Sequence, residues 1–221
     1  MAAHVDLFLF DLAGTTVVDD DRVLRSFFAV AQAFDLHVEV SALRARMGWH
    51  KAKVFASLLE ERGLDTEPAQ LMAERFELEF AELAAREPLQ ETNNANQVLT
   101  ALTDGGVQVA FNTGFSRKTA NVVLEAMGWQ HYVSVASDEV AASRPAPDLI
   151  HRAMEQCGVT DPARVGVAGD TPADLGAGVA AKVAMNVGVG SGTYTIEQLR
   201  EHEHTHLLDD LTTLPDLVFA K

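Results

Sequence analysis

The stretch Val5-Asp-Leu-Phe-Leu-Phe-Asp11-Leu-Ala-Gly-Thr-Thr16 decides how the rest of the chain is read. Val5 to Phe10 is apolar except for Asp6, and its length and its Phe and Val content suit a short buried strand. The run stops at an acid, Asp11, and Gly14 then allows a tight turn and close approach of other backbone. Downstream, from Arg22 to about Arg86, there are four helical patterns and no convincing strand. Phe27, Phe28, Ala31 and Phe34 recur at helical spacing, as do Val54, Phe55, Leu58 and Leu59, and later Leu71, Phe76, Phe80 and Leu83.

After Glu91 strands and helices alternate. Strands are expected at Val107–Phe111, Tyr132–Ala136, Val165–Ala168 and Val183–Val187. Helices are expected at Val98–Leu102, Thr119–Met127, Asp148–Gln156 and Pro172–Ala181, several of them stopped by glycine. Such alternation implies an α/β fold with a doubly wound parallel sheet. The all-helical stretch then becomes a lobe inserted after the first strand. The expected division is a core of residues 1–18 and 92–221 and a helical cap of residues 19–91, hinged near Val18 and Thr92.

The 221 residues carry 32 acidic against 17 basic side chains, a formal charge of −15, and are 48% hydrophobic. That content supports a real core, and the charge repels phosphate backbones, so nucleic acid is excluded as the main partner. Cys157 is the only cysteine and has no intrachain partner. No apolar run is long enough for a membrane span, and the N-terminus lacks a secretory pattern, so a soluble cytoplasmic protein is expected. His202, His204 and His206 alternate in a way that could suggest a metal, but a solvated turn is the simpler reading.

In open parallel sheets ligands bind beyond the carboxyl ends of the strands. Asp11, Thr113-Gly114, Arg144-Pro145 and Asp170 all fall there, with Asp174 just inside the following helix. Two adjacent carboxylates, Asp11 and Asp170, repel unless a cation lies between them, and a hard ion such as Mg²⁺ suits oxygen ligands. One of them could then attack phosphorus, while Thr113, backbone N–H groups and Arg144 hold the phosphoryl oxygens. Thr171, Pro172 and Asp174 form a helix-start pattern. Singly, each feature is an ordinary cap or turn; together and in this order they are far more specific.

Asp11-Leu-Ala-Gly-Thr-Thr, Asn112-Thr-Gly, Arg144-Pro and Gly169-Asp-Thr-Pro-Ala-Asp resemble the motifs of the haloacid dehalogenase superfamily of phosphohydrolases. The resemblance implies a Rossmann-like core with an inserted cap, Mg²⁺ dependence and a phosphoryl intermediate on Asp11. It also implies that Asp11, the backbone carbonyl of Ala13 and Asp170 hold the metal, with Asp174 supporting them from behind. The usual family signature has an aspartate two residues after the nucleophile as general acid and base, and this chain has Ala13. General acid catalysis is typically worth about 10²–10⁴-fold, so Ala13 disfavours an ordinary phosphomonoesterase. The family's usual lysine in the third cluster is here Arg144.

Both departures are similar to the phosphonatase-like branch, the hydrolases of phosphonoacetaldehyde and its relatives. There a cap lysine condenses with the substrate carbonyl and the imine accepts electrons when the C–P bond breaks. Met47-Gly48 resembles the residues before that lysine and selects Lys51 over Lys53. Helical spacing agrees: Lys51 shares a face with Val54, Phe55 and Leu58, whereas Lys53 is expected in solvent. Apolar surroundings, a helix start and Arg44, Arg46 or Lys53 nearby would favour the neutral amine. Without the resemblance, Lys51 reads as a lysine whose stem lies along an apolar stripe. Val54 stands where the branch has a histidine, leaving a 2-oxo-phosphonate other than phosphonoacetaldehyde equally open. Thr15, Gly114, Gly48 and Trp49 are expected to shape the substrate pocket. The alternatives are a phosphatase of a small ester such as phosphoglycolate or a sugar phosphate, and a catalytically idle protein that keeps the fold. The resemblance and the apolar first cap helix suggest a homodimer.

Overall fold

The computed structural model describes residues 4–220. Six strands form one sheet: β1 Leu7–Phe10, β2 Gln108–Thr113, β3 Val133–Ala136, β4 Val165–Gly169, β5 Met185–Val189 and β6 His206–Leu208. All pairs are parallel, in the order β3-β2-β1-β4-β5-β6. β1 is central. The chain builds outward from it to one side, returns, and builds to the other, so the switch point lies between β1 and β4. There Phe10 pairs with Ala168, and the Asp11 N–H continues the ladder to Ala168 O at 3.0 Å.

β1 is buried on both faces, which explains its nearly continuous apolar sequence. Leu7 and Leu9 point to a core shared with Leu149, Ile150 and Ala153. Phe8 and Phe10, whose ring centroids are 4.9 Å apart, point to the opposite core with Val98, Leu102 and Leu124. The first of these cores is covered by α7 Asp148–Cys157 and α8 Pro172–Ala181, the second by α5 Ala95–Asp104 and α6 Arg117–Met127. The two layers follow from strand alternation and helix spacing alone.

Between β1 and α5 lie α1 Arg22–Ala33, α2 Val40–Arg44, α3 Lys51–Glu60 and α4 Ala69–Arg86, matching the four helical patterns. Their apolar stripes meet around Phe27, whose ring centroid lies 4.7 Å from that of Phe76 of α4 in a tilted arrangement and 5.2 Å from that of Phe55 of α3, edge to face. Burying one such ring stabilises by roughly 1.5–3 kcal/mol. Phe28 and Phe34 of α1 are partly buried against the same lobe. The two crossings between sheet and helices run side by side: Val18 N–H donates to Gln90 O and Thr92 N–H to Thr16 O, both at 2.9 Å.

Several element boundaries differ from the sequence expectation by one to three residues, and three of them bear on the site or the sheet. β2 runs on through Asn112 and Thr113, β1 starts at Leu7, and β5 starts at Met185 because Lys182, with φ 59°, turns the chain after α8. Beyond Thr193 the chain forms α9 Ile196–Leu199, edge strand β6 and α10 Leu214–Val218. His206 starts β6, and the His204 ring hydrogen-bonds the His202 carbonyl. No helix among the described residues is long and apolar enough to cross a membrane.

Candidate active site

The carboxyl ends of β1, β2 and β4 converge on one small cavity. Asp11, Ala13, Thr113, Gly114 and Asp170 line it from the sheet; Asp19, Met47, Gly48 and Lys51 line it from the helical side. About 30 Å³ is open to the centres of water-sized spheres, room for a few waters.

Asp11 is 5% exposed and continues β1, so its position is set by the ladder. Arg144, fully buried, clamps it: one guanidinium nitrogen lies 2.7 Å from Asp11 Oδ1 and 2.6 Å from Asp174 Oδ1. The other donates to Asn112 Oδ1 at 2.9 Å and to the Asn112 carbonyl. Arg144 therefore meets the cavity only through Asp11 and lies outside its lining, rather than projecting into it as its charge alone suggested. Burial pushes the Asp11 carboxyl up to about 6; Arg144 opposes this and Asp174 reinforces it.

Asp170 follows β4 and lies against Gly14, whose φ of +84° and missing Cβ leave the space its carboxylate occupies. Oδ2 accepts the Thr193 N–H at 2.6 Å, and the buried Thr15 hydroxyl lies 3.4 Å from Oδ1. Thr15 thus stands behind Asp170, not in the cavity lining. Burial and the charges of Asp11 and Asp174 hold the Asp170 carboxyl well above the usual range. Asp174 caps α8: Oδ2 accepts from Thr171 N at 3.1 Å and Thr171 Oγ at 2.6 Å, with Pro172 in the first turn. Its other oxygen is on Arg144.

Asp11, Asp170 and Asp174 are thus buried together beside one guanidinium and one amine, an excess of negative charge that a cation would relieve. Among the described residues no cluster of three or more His, Cys, Asp or Glu side chains is arranged as a metal cage. Mg²⁺ commonly takes one or two carboxylates and keeps several waters. Asp11, Asp170 and the Ala13 backbone fit that habit.

Lys51 opens α3, and it is 7% exposed. Its Nζ sits 5.6, 5.4 and 5.0 Å from the ring centroids of Phe27, Phe76 and Phe115, and donates to the Trp49 carbonyl at 3.3 Å. Burial lowers its pKa to about 8; Asp11 and Asp19 pull it back up, and Arg144 adds to the lowering. Arg144 is the neighbouring cation responsible, whereas Arg46 is tied to Ser57 and Glu61 inside the helical lobe. Lys53 is exposed, its Nζ 5.0 Å from the Trp49 ring, so Trp49 contributes its carbonyl to Lys51 and its ring to the surface side.

Gly48, at φ +82°, brings the helical side onto the sheet. A Cβ there would come 2.7 Å from Thr171 Oγ, and a Cβ on Gly114 would overlap the Gly48 carbonyl. The His50 ring adds a 2.8 Å hydrogen bond to Ser137 Oγ. Thr113 lines the cavity, its hydroxyl accepting the Phe115 N–H at 3.2 Å. Sequence reading missed Asp19, Phe115, Thr193 and the His50–Ser137 contact. Only Thr193 carried a signal, lying in the glycine-rich Gly188-Val-Gly-Ser-Gly-Thr segment at the end of a strand.

Comparison with known proteins agrees with this architecture. A phosphonoacetaldehyde hydrolase of Latilactobacillus sakei is 28% identical over 185 residues, covering 76% of this chain and 69% of that protein. A hydrolase structure from Pseudomonas syringae superposes with a TM-score of 0.87 at 23% identity, covering 96% of this chain and 97% of the other. A phosphonoacetaldehyde hydrolase-like structure from Oleispira antarctica gives 0.82 at 18% identity, covering 99% and 94%. The sequence profile of haloacid dehalogenase-like hydrolases matches residues 5–182, most of the chain. With the parallel sheet and the strand-end carboxylates in place, this chain belongs to the haloacid dehalogenase-like hydrolases.

Proposed function

We propose that the protein hydrolyses the C–P bond of a 2-oxo-phosphonate, phosphonoacetaldehyde or a close relative, with Mg²⁺. The observation that carries this reading is a buried amine, Lys51, lining the same small cavity as the Asp11 carboxylate. Three aromatic rings and the sheet remove water from that amine, so a tenth or so of it is neutral at pH 7 for a pKa of about 8.

The neutral Lys51 amine adds to the substrate carbonyl and, with loss of water, forms a cationic imine. Asp11 Oδ attacks phosphorus; the C–P electron pair passes into the imine, giving an enamine. Protonation of the enamine carbon and hydrolysis of the resulting imine release the aldehyde or ketone and free Lys51. Water then cleaves the phosphoryl group from Asp11. Because the leaving electrons go to the imine, no acid is required at position 13, which accounts for Ala13. Arg144 keeps Asp11 oriented, and Thr113 with nearby backbone N–H groups receives the phosphoryl oxygens. A Mg²⁺ on Asp11, Asp170 and the Ala13 carbonyl would neutralise the negative charge that the phosphonate brings. The cavity is too small for a phosphonate substrate, with about 30 Å³ open to the centres of water-sized spheres, so we also propose that residues 19–91 move as a cap to admit substrate.

Borohydride trapping during turnover of phosphonoacetaldehyde, followed by peptide mapping, tests the reading. A reduced adduct on Lys51 is expected. Turnover without that adduct, or efficient release of phosphate from small esters that survives Lys51→Ala, would replace it with ordinary phosphatase chemistry.

A further inference from the structure

Imine formation needs more than a neutral amine. A proton must leave the lysine, and another must reach the carbinolamine oxygen before water can depart. Four titratable side chains line the cavity: Asp11, Asp19, Lys51 and Asp170. Asp11 is held by Arg144 for attack on phosphorus, and Asp170 by the Thr193 N–H. On α3 itself, the position one turn after Lys51 is Val54, apolar and fully buried. His50, beside Lys51 in sequence, turns its Nδ1 to Ser137. Asp19 is what remains.

Its placement suits the task through one bridging water: among the described residues Asp19 forms no ion pair with Lys51, but the two line the same cavity, which has room for water. The carbonyl of Asp19 accepts the Arg22 N–H at 2.8 Å, and its Oδ1 accepts the Val23 N–H at 3.0 Å, so the first turn of α1 fixes both backbone and side chain. Among the described residues no donor reaches Oδ2. Arg22, the nearest cation in sequence, spends its guanidinium on the carbonyls of Val18 and Glu87. Asp19 also lines the larger cavity beyond Met47 and Arg44, so it stands where the Lys51 chamber meets the outside.

We propose that Asp19 is the proton-transfer group of Lys51, taking the proton the amine sheds and giving it to the carbinolamine hydroxyl that leaves as water. The inference rests on the imine reading above. The balance closes: the ammonium and carboxylate become amine and carboxylic acid, the amine adds to the carbonyl, and the acid protonates the departing hydroxyl. Lys51 ends as a cationic imine and Asp19 as a carboxylate again. Burial raises the Asp19 carboxyl above its ordinary range, against Arg22 and Lys51 and with Asp21, and so brings it nearer to the amine it must serve.

The bland role, a helix-start acceptor, is separable. Asn and Ser accept the Val23 N–H as well as Asp does but cannot exchange a proton in this way. The experiment follows the rate of Lys51 alkylation by phosphonoacetaldehyde plus borohydride from pH 6 to pH 10, by peptide mass spectrometry, in the wild type, Asp19→Asn and Asp19→Ser. Loss of a negative neighbour moves the Lys51 midpoint to lower pH, where Asp11 and Arg144 are its remaining charged neighbours. Electrostatics alone therefore makes both variants faster at pH 7. Proton transfer makes them slower by at least about 10-fold, despite the lower midpoint and with melting temperatures close to wild type. Equal or faster alkylation in either folded variant overturns the role of Asp19 while the imine stands. Absence of any wild-type adduct overturns both.

Discussion

Replacing Lys51 by Met should make the protein more stable while abolishing the proposed chemistry. Met keeps an apolar stem among Phe27, Phe76 and Phe115 and removes the buried ammonium. In the folded chain the amine titrates at about 8 against an ordinary 10.5. At about 1.36 kcal/mol per unit, holding the proton in the fold costs roughly 3 kcal/mol at pH 7. The unfolded chain binds more protons than the folded one between these two values, so wild-type stability rises with pH across that window. The advantage of Lys51→Met should therefore be about 3 kcal/mol at pH 7, fall to near 1 kcal/mol at pH 9.5, and nearly vanish at pH 10.5. Urea unfolding of both proteins at these pH values, monitored by far-UV circular dichroism in the presence of a chelator, measures it. A variant no more stable than wild type at pH 7, or an advantage that does not shrink with pH, would refute the buried, depressed amine.

Arg144→Ala leaves the Asp11 and Asp174 carboxylates facing each other without a cation, a loss of about 3–5 kcal/mol; the loss should be smaller at pH 5, where carboxyls can neutralise, than at pH 8, as thermal melts at both values would show. Asp170→Asn should weaken Mg²⁺ binding at least about 10-fold by titration calorimetry, since it removes one of the two carboxylates proposed to hold the metal; unchanged affinity would place the metal elsewhere. Gly48→Val cannot hold φ +82° without strain, and its Cβ meets Thr171. Its helical lobe should be cut faster in limited proteolysis, while wild-type protection in that variant would count against the tight contact.

The core strands were legible because a strand covered on both faces must be apolar throughout, as Leu7–Phe10 and Val165–Gly169 are. Strand β6 was not, because three half-buried residues beginning with His206 at a sheet edge carry no such pattern. Asp11, Ala13, Asp170 and Lys51 could be singled out because each lies in a short local motif. The aromatic surround of Lys51 could not: Phe27, Phe76 and Phe115 come from α1, α4 and the segment after β2, and only packing brings them together. Arg144 shows the same limit, since its charge was plain but its partners, 133 residues away at Asp11 and 32 at Asn112, were not.

The paired crossings at Val17–Val18 and Gln90–Thr92 have a mechanical corollary. Two chains laced by hydrogen bonds form a narrow ribbon, stiff to sliding along its length but easily flexed out of its plane. A body hung from such a ribbon swings like a door leaf on one side and keeps its lateral alignment. Each swing back would return Lys51 to the same spot above Asp11, so a chemistry that depends on register between two halves of a molecule would not have to search for it anew in every cycle.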